Sequence, residues 1–250
     1  MKLNQKKLDI LIPAYNCLEF IIRIEKLTKF ITTGKINIIV SDDSTKKEIS
    51  NEIRRFCEKN NIHYTIGPKT KNAVDNWNRL LGYTISNYYI LLHHDEMFET
   101  VDDINQILDY ISKFRPDAFV SSLLIKSSKG TRRFSNNYFK KIILEKFPNY
   151  LYIRNCIGSP SNIIFHNRFS IYKYQNKLKW LVDTNYFCEI FNKKKYYVIY
   201  GIFNIVSFEN TSSITNNLNT RSIAKEERKV LKIRYKIPYL MLDLFWIFLK

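Results

Sequence analysis

Through the first half of the chain, short runs of β-branched and apolar residues alternate with longer stretches of helical period. Residues 8–12 (LDILI) predict a strand stopped by Pro13, whose ring removes the N–H that a ladder needs. Residues 18–31 carry apolar positions at helical spacing, and residues 35–40 (KINIIV) predict the next strand. Ser44-Thr45-Lys46-Lys47-Glu48 has the form of a helix start, a hydroxyl cap followed by an acidic first turn, and leads into a helix through about Lys59. A third strand follows at residues 62–66 and a third helix at 72–86. Residues 88–92 (YYILL) are apolar throughout, as a strand covered on both faces should be. Residues 102–114 read as helix and 117–122 (DAFVSS) as the fifth strand. The second half is less regular: 161–166 is strand-like, 181–192 helical, and 196–200 and 203–208 are two β runs.

This alternation predicts an α/β fold with a mainly parallel central sheet flanked by helices. In open sheets of that kind ligands sit beyond the carboxyl ends of the strands. Here those ends carry three polar clusters: Pro13-Ala14-Tyr15-Asn16, Ser41-Asp42-Asp43-Ser44 and His93-His94-Asp95-Glu96. Three clusters on one edge outline a site.

Composition narrows the partners. Of 250 residues, 45% are hydrophobic and 25% charged, enough apolar surface for a core and too much for wholesale disorder. Forty Lys and Arg against 23 Asp and Glu leave a net charge of +17, which points to an anionic partner: nucleic acid, a phosphorylated small molecule or an acidic membrane face. Cys17, Cys57, Cys156 and Cys188 are far apart with no CxxC spacing, so reduced, mostly buried thiols are expected rather than a zinc site or a disulfide framework. The basic start, Met1 to Lys7, is followed by Asp9, Pro13 and Asn16 instead of the apolar stretch of a signal peptide, which predicts a cytoplasmic location. At the other end, residues 237–249 (IPYLMLDLFWIFL) are too short to span a bilayer, which needs roughly 20 apolar residues. Residues 221–250 hold eight Lys or Arg against three Asp or Glu. Such a basic helical tail fits an interfacial anchor on anionic lipid; it fits equally a helix docked on the protein's own core or on a second copy of the chain in a homodimer.

Chemistry concentrates at the strand ends. A carboxylate at a buried strand end needs a hydrogen-bonding partner or a metal. Asp43 or Ser44 could serve merely as the cap of the next helix. His93-His94-Asp95-Glu96 joins two imidazoles and two carboxylates at the end of an apolar strand, a set that suits Mn2+ or Mg2+ held together with substrate phosphates.

Taken in order, IPAYN, VSDDST, NWNRLLGYT leading into YYILLHHDE, and GSPSNIIFHNR followed by WLVD resemble a family 2 glycosyltransferase of the GT-A fold, of the bacterial surface-polysaccharide type. The resemblance covers roughly residues 8–213. It implies that Pro13, Ala14 and Tyr15 line the base of a nucleotide-sugar donor, and that Asp42, with Asp43 beside it, bonds the uracil or thymine edge. The family's DxD signature falls on His93-His94-Asp95, so Asp95 is the implied metal and diphosphate ligand, with His94 next to it on the donor side. His93 stands where the first Asp of that signature would be, which puts strong metal dependence in doubt. Gly158 and Ser159 match the segment beneath the acceptor site, and Asp183 matches the catalytic base of the inverting members. Arg79 is a further diphosphate contact. Asp183 could alternatively be an N-cap, and Glu189 reads as a solvated helix-face charge. His63 and His166 read as structural or surface residues. The segment Glu209-Asn210-Thr211-Ser212-Ser213 lacks the His that some members carry there.

The resemblance implies residues 1–220 as the transferase domain, 1–122 for the nucleotide sugar and 123–220 for the acceptor, followed by the tail at 221–250. The implied activity is inverting transfer from a UDP- or dTDP-sugar to a hydroxyl of a lipid-linked or core oligosaccharide, with Mn2+ or Mg2+, at the inner face of the cell membrane. Two alternatives stay open: a basic nucleic-acid-binding protein, and a degenerate transferase fold that binds sugar nucleotides without turnover. Against the first, most aromatics fall in apolar runs such as YFKKIILEKF, and no RNA-binding signature appears.

Overall fold

Strand β1 (Leu8–Ala14) continues through Pro13 in the computed structural model, which describes residues 7–127, 130–134, 137–208, 219–233 and 237–248. Its pairing with β4 (Tyr88–Leu91) stops at Leu11 and Leu91, and the Leu92 N–H donates to Leu11 O just beyond. On that side residue 13 has no ladder partner left to serve, so its missing N–H costs nothing. The expectation that Pro13 ends the strand is thereby corrected.

On its other side β1 pairs in parallel with β2 (Ile36–Asp42), which pairs in parallel with β3 (His63–Ile66). Helices α1 (Glu19–Glu25), α2 (Thr28–Thr32), α3 (Lys47–Lys59) and α4 (Ala73–Leu81) make the connections. After β4 come the short β5 (Glu96–Phe98), α5 (Val101–Phe114), β6 (Ala118–Ser127), β7 (Gly130–Phe134), α6 (Asn137–Lys146), β8 (Ile163–His166), α7 (Val182–Phe191) and β9 (Val198–Phe208). Among the described residues, nine strands form one sheet in the order β3-β2-β1-β4-β8-β6-β9-β5, with β7 paired to β6. The strand order reverses between β1 and β4, and the carboxyl ends of these two strands flank the crevice where such sheets bind ligands.

Local physics explains the departures from the sequence reading. The stretch 18–31 is two helices, because the Thr28 hydroxyl takes the Glu25 carbonyl (2.7 Å) at the joint. The two β runs at 196–200 and 203–208 are one strand, bent at Gly201 (φ +73°), where the register against β6 slips between Val120 and Ser122. Ser44 does not cap α3 with its own side chain. Instead Asn16 Oδ1, from the loop after β1, accepts the N–H groups of Thr45 and Lys46 (3.0 and 3.1 Å). Strands β5 and β7 and helix α6 were not expected.

Alternate residues of β1 face two separate cores. Ile10 and Ile12 pack with α1, α2, α3 and α5, while Leu11 packs with α4, α6 and α7. Asp9, on the Leu11 face, is fully buried and satisfied by the N–H groups of Ile85 and Ser86 (2.7 Å each), the Ser86 hydroxyl (2.6 Å) and Asn37 (2.8 Å). The four cysteines are free thiols, three of them buried, as expected.

The tail forms α8 (Thr220–Val230) and α9 (Ile237–Phe248). Tyr239 and Leu242 are buried in the core that holds Tyr150 and Tyr186, and Asp243 accepts from the Tyr150 hydroxyl (2.5 Å) and Arg154 Nε (3.3 Å). Docking on the protein's own core therefore describes the inner face of α9, whereas Leu240, Met241 and Leu244 are exposed. Among the described residues, no helix is long and apolar enough to cross a membrane. Residues 1–6, Arg234, Lys236 and the segment 209–218 lie outside the described residues.

Candidate active site

The turn after β4 is held from three directions. His94 Nδ1 meets Pro13 O at the end of β1 (3.2 Å), and Arg23 Nη1 of α1 donates to His94 O (2.7 Å). The Ser161 hydroxyl accepts from the His93 N–H (2.9 Å) and donates to Leu91 O (3.1 Å), which ties the turn to the segment entering β8. On the far side the Phe208 N–H donates to Asp95 O (3.2 Å), and the Arg23 guanidinium lies 4.5 Å from the centre of the Phe208 ring.

Glu96 is the hub of this turn. It is buried, and both its oxygens accept from the Ser159 hydroxyl at 2.8 Å. Asn162 Nδ2 donates to that hydroxyl (3.1 Å), and Ser121 Oγ donates to Asn162 Oδ1 (2.7 Å). Gly158 admits this approach: its φ is +99°, and a Cβ there would lie 2.8 Å from Asn162 Nδ2. Burial and then the charge of Asp95 push the Glu96 carboxyl up to about 7, against opposing hydrogen bonds from Ser161, Ser159 and Ser207.

Asp183 stands in the first turn of α7. It is not the N-cap, which is Leu181 without a side-chain cap, so that alternative is set aside. Its Oδ1 is enclosed and lacks a hydrogen-bond partner. Burial first, then the charge of Glu96, raise its carboxyl to about 7. Asp95 acts electrostatically on Glu96 and Glu96 on Asp183, so the carboxylates implied for the two ends of the chemistry both lie within electrostatic reach of Glu96. An aromatic wall runs beside them: Trp77 lies 4.9 Å from His93 and 5.3 Å from Tyr174, and Tyr174 stacks on Tyr186 at 4.0 Å.

The residues expected for the donor divide into groups. Pro13 and Ala14 are buried in the sheet, while Tyr15, in the loop that follows, is 53% exposed. Asp42 is fully buried, with Oδ1 accepting the Ser44 N–H (2.9 Å) and Oδ2 accepting Ser50 (2.6 Å) and Tyr64 (3.0 Å). Burial alone would raise its pKa; these bonds outweigh burial and lower it. In this arrangement Asp42 shapes the loop after β2. Asp43, beside it and partly exposed, accepts the Lys69 N–H (2.8 Å). Arg79 is held over β3 by Thr65 and Tyr83 (3.1 Å each). Glu189 is no free surface charge: it accepts from Asn185 (2.7 Å) and Gln175 (3.0 Å). His63 is exposed beside Tyr83, and His166 edges onto Tyr88.

One atom each of His93, Asp95 and Glu96 lie within 4.8 Å of one another. Burial lowers the His93 pKa against the opposing charge of Asp95, and its Nε2 is enclosed without a partner. The nitrogen that faces Glu96 is Nδ1, 3.9 Å from Glu96 Oε2, and an imidazole grouped with two carboxylates fits a divalent cation. Glu96 and His93 adjoined Asp95 in the sequence as candidate ligands, but only the fold brings Ser159 and Asp183 to them. Nothing local marked Arg23 or Trp77, which reach the turn from other elements.

Comparison with known proteins identifies the family and the fold. The family model described as glycosyl transferase family 2 matches residues 9–181, and the chain belongs to that family. Comparison with curated protein sequences gives no significant match. Among solved structures, S. aureus TarS 1-349 in complex with UDP-GlcNAc superposes with a TM-score of 0.63 at 13% identity, over 87% of this chain and 64% of that one. The UDP complex of the same protein gives 0.64 at 13% identity, over 95% and 68%. Mannosyltransferase PcManGT from Pyrobaculum calidifontis, in complex with GDP-Man and Mn2+, gives 0.55 at 12% identity, over 94% and 67%. Likeness at this identity establishes the fold, the GT-A architecture. The chain spans 60% of the length of another TarS 1-349 structure, with a TM-score of 0.57 at 16% identity over 78% of this chain.

Proposed function

We propose that this protein is an inverting glycosyltransferase that moves a sugar from a UDP- or dTDP-sugar to a hydroxyl of a lipid-linked or core oligosaccharide, in the synthesis of a surface glycan. The observation that carries the reading is the meeting of the Asp95–Glu96 turn, Ser159 and Asp183 beyond the carboxyl ends of β1 and β4. Tyr15 and Asp43 stand at the nucleoside end of the crevice, with Asp42 and Lys69 holding the loop between them. Asp183, with a carboxyl raised to about 7 and one oxygen unengaged, takes the proton that the acceptor hydroxyl loses as it attacks the anomeric carbon. Ser159 and Gly158 form the acceptor floor beside it. His93, Asp95 and Glu96 would hold Mn2+ or Mg2+, which supplies charge neutralisation for the departing nucleoside diphosphate. The exposed Leu240, Met241 and Leu244 of α9, next to the cations of α8, support contact with an anionic membrane surface on the cytoplasmic side.

The test is a panel of nucleotide sugars scored for slow donor hydrolysis, with melting curves in UDP, dTDP and GDP with and without Mn2+. A Tm rise specific to one nucleotide and enhanced by Mn2+, together with hydrolysis of its sugar conjugate, is expected. A flat response to all three, with tight salt-sensitive nucleic-acid binding, would refute the proposal; nucleotide binding without any turnover would favour a degenerate transferase fold.

A further inference from the structure

We infer that Glu227, on the C-terminal helix α8, is a positioning residue for Asp183, so that the tail is a working part of the site. The inference rests on the reading of Asp183 as the base. Helix α7 begins with no side-chain cap of its own. Glu227 instead holds the backbone that enters α7, the N-cap residue Leu181 and the two residues before it: its Oε1 accepts the Lys179 N–H (2.5 Å), and its Oε2 accepts the N–H groups of Trp180 (3.2 Å) and Leu181 (2.8 Å). These three consecutive backbone groups run up to the turn that carries Asp183. Glu227 is buried, so each bond forms out of reach of competing water.

A second strut leaves α8 at the next residue. Arg228 Nε donates to Tyr152 O (2.7 Å), and the Tyr152 hydroxyl donates to Asn185 Oδ1 (2.9 Å), one turn further along α7. Two neighbouring residues of the tail thus fix α7 at its N-cap residue and in its second turn. Asp183 lies between those two points with Oδ1 unbonded, so its direction is set by the backbone beneath it. A base displaced by a fraction of an ångström loses its line to the acceptor proton, while the nucleoside end of the crevice, built on β1 and β2, is untouched.

The test uses the full-length chain and compares Glu227→Gln with the parent and with Asp183→Asn. Hydrogen exchange, read without donor, should quicken at least tenfold at the amides of Lys179, Trp180 and Leu181 and in the first turn of α7. Donor turnover should fall at least tenfold in kcat, with UDP or dTDP affinity within twofold of the parent. Parent-like exchange at those amides overturns the hold on this backbone, whatever the kinetics. Faster exchange with unchanged kcat, or with nucleotide affinity lost in step with kcat, reduces Glu227 to a stabilising residue and overturns the positioning role. If Asp183→Asn turns over donor at the parent rate, the reading of the base fails instead, and the exchange result still reports on that hold. Should Glu227→Gln fold poorly, Glu227→Asp, which keeps the charge, carries the same two measurements.

Discussion

Replacing Asp183 by Asn should make the protein more stable while stopping its chemistry. A carboxyl moved from 3.8 to about 7 carries a cost of roughly 4 kcal/mol on its ionised form in the folded state. Part of that cost is mutual, because Glu96 is also raised to about 7 and one proton can serve both groups near neutrality. About half, some 2 kcal/mol, is therefore the gain expected from Asp183→Asn at pH 8. The sign follows from proton counting. Below about pH 4 the side chain is protonated folded or unfolded, and no penalty exists. As pH rises towards 7 the unfolded chain releases the proton and the folded one retains it, so stability drains away across that window. The gain from the amide should thus be near zero at pH 4 and reach its full value by pH 8, about 4–8 °C in Tm for a chain of this size. Calorimetry in chelator, across pH 4 to 8, reads this without any bound cation. Transfer, by contrast, should fall by roughly 10²–10⁴-fold, the usual weight of a general base. A gain that does not vary with pH, a loss at pH 8, or retained transfer would refute the reasoning.

Three further outcomes follow from the same geometry. Ser159→Ala removes a hydroxyl that favours ionised Glu96, so the Glu96 carboxyl should climb further; Mn2+ binding, titrated calorimetrically from pH 6 to 8, should need a higher pH. Gly158→Ala places a methyl 2.8 Å from Asn162 Nδ2 at a positive φ and should cost about 1–3 kcal/mol in denaturant unfolding. Deleting residues 237–250 uncovers Tyr150 and strips the pocket that holds Tyr239 and Leu242. The truncated chain should melt lower and aggregate in light scattering, rather than simply leave membranes as an unaltered soluble protein.

What could be read along the chain was whatever depends on near neighbours. Apolar runs such as YYILL become strands because they are covered on both faces, and a polar cluster after such a run must stand at a sheet edge. Thr100, outside the helix expected at 102–114, shows the limit even of local signals: it closes a capping box with Asp103 and starts α5 at Val101. Pro13 misled, because whether a missing N–H matters depends on where the neighbouring strand stops, and β4 is far away in sequence. Gly201 misled for a similar reason: a glycine between two β runs ends a strand or bends it according to the partner's register.

The sequence by itself determined the alternation of elements, the sheet edge that carries the polar clusters, and the candidate residues Asp95 and Asp183. Only the tertiary structure decided that Glu96 acts on Asp183 and feels Asp95, that Asp42 bonds Ser44, Ser50 and Tyr64, that Arg79 is held over β3, and that the tail turns back to hold the start of α7. The physical reason is range. Element type follows from contacts within a turn or a strand, whereas the ionisation and orientation of a carboxylate depend on burial and on charges brought from distant parts of the chain, which exist only once the cores have closed.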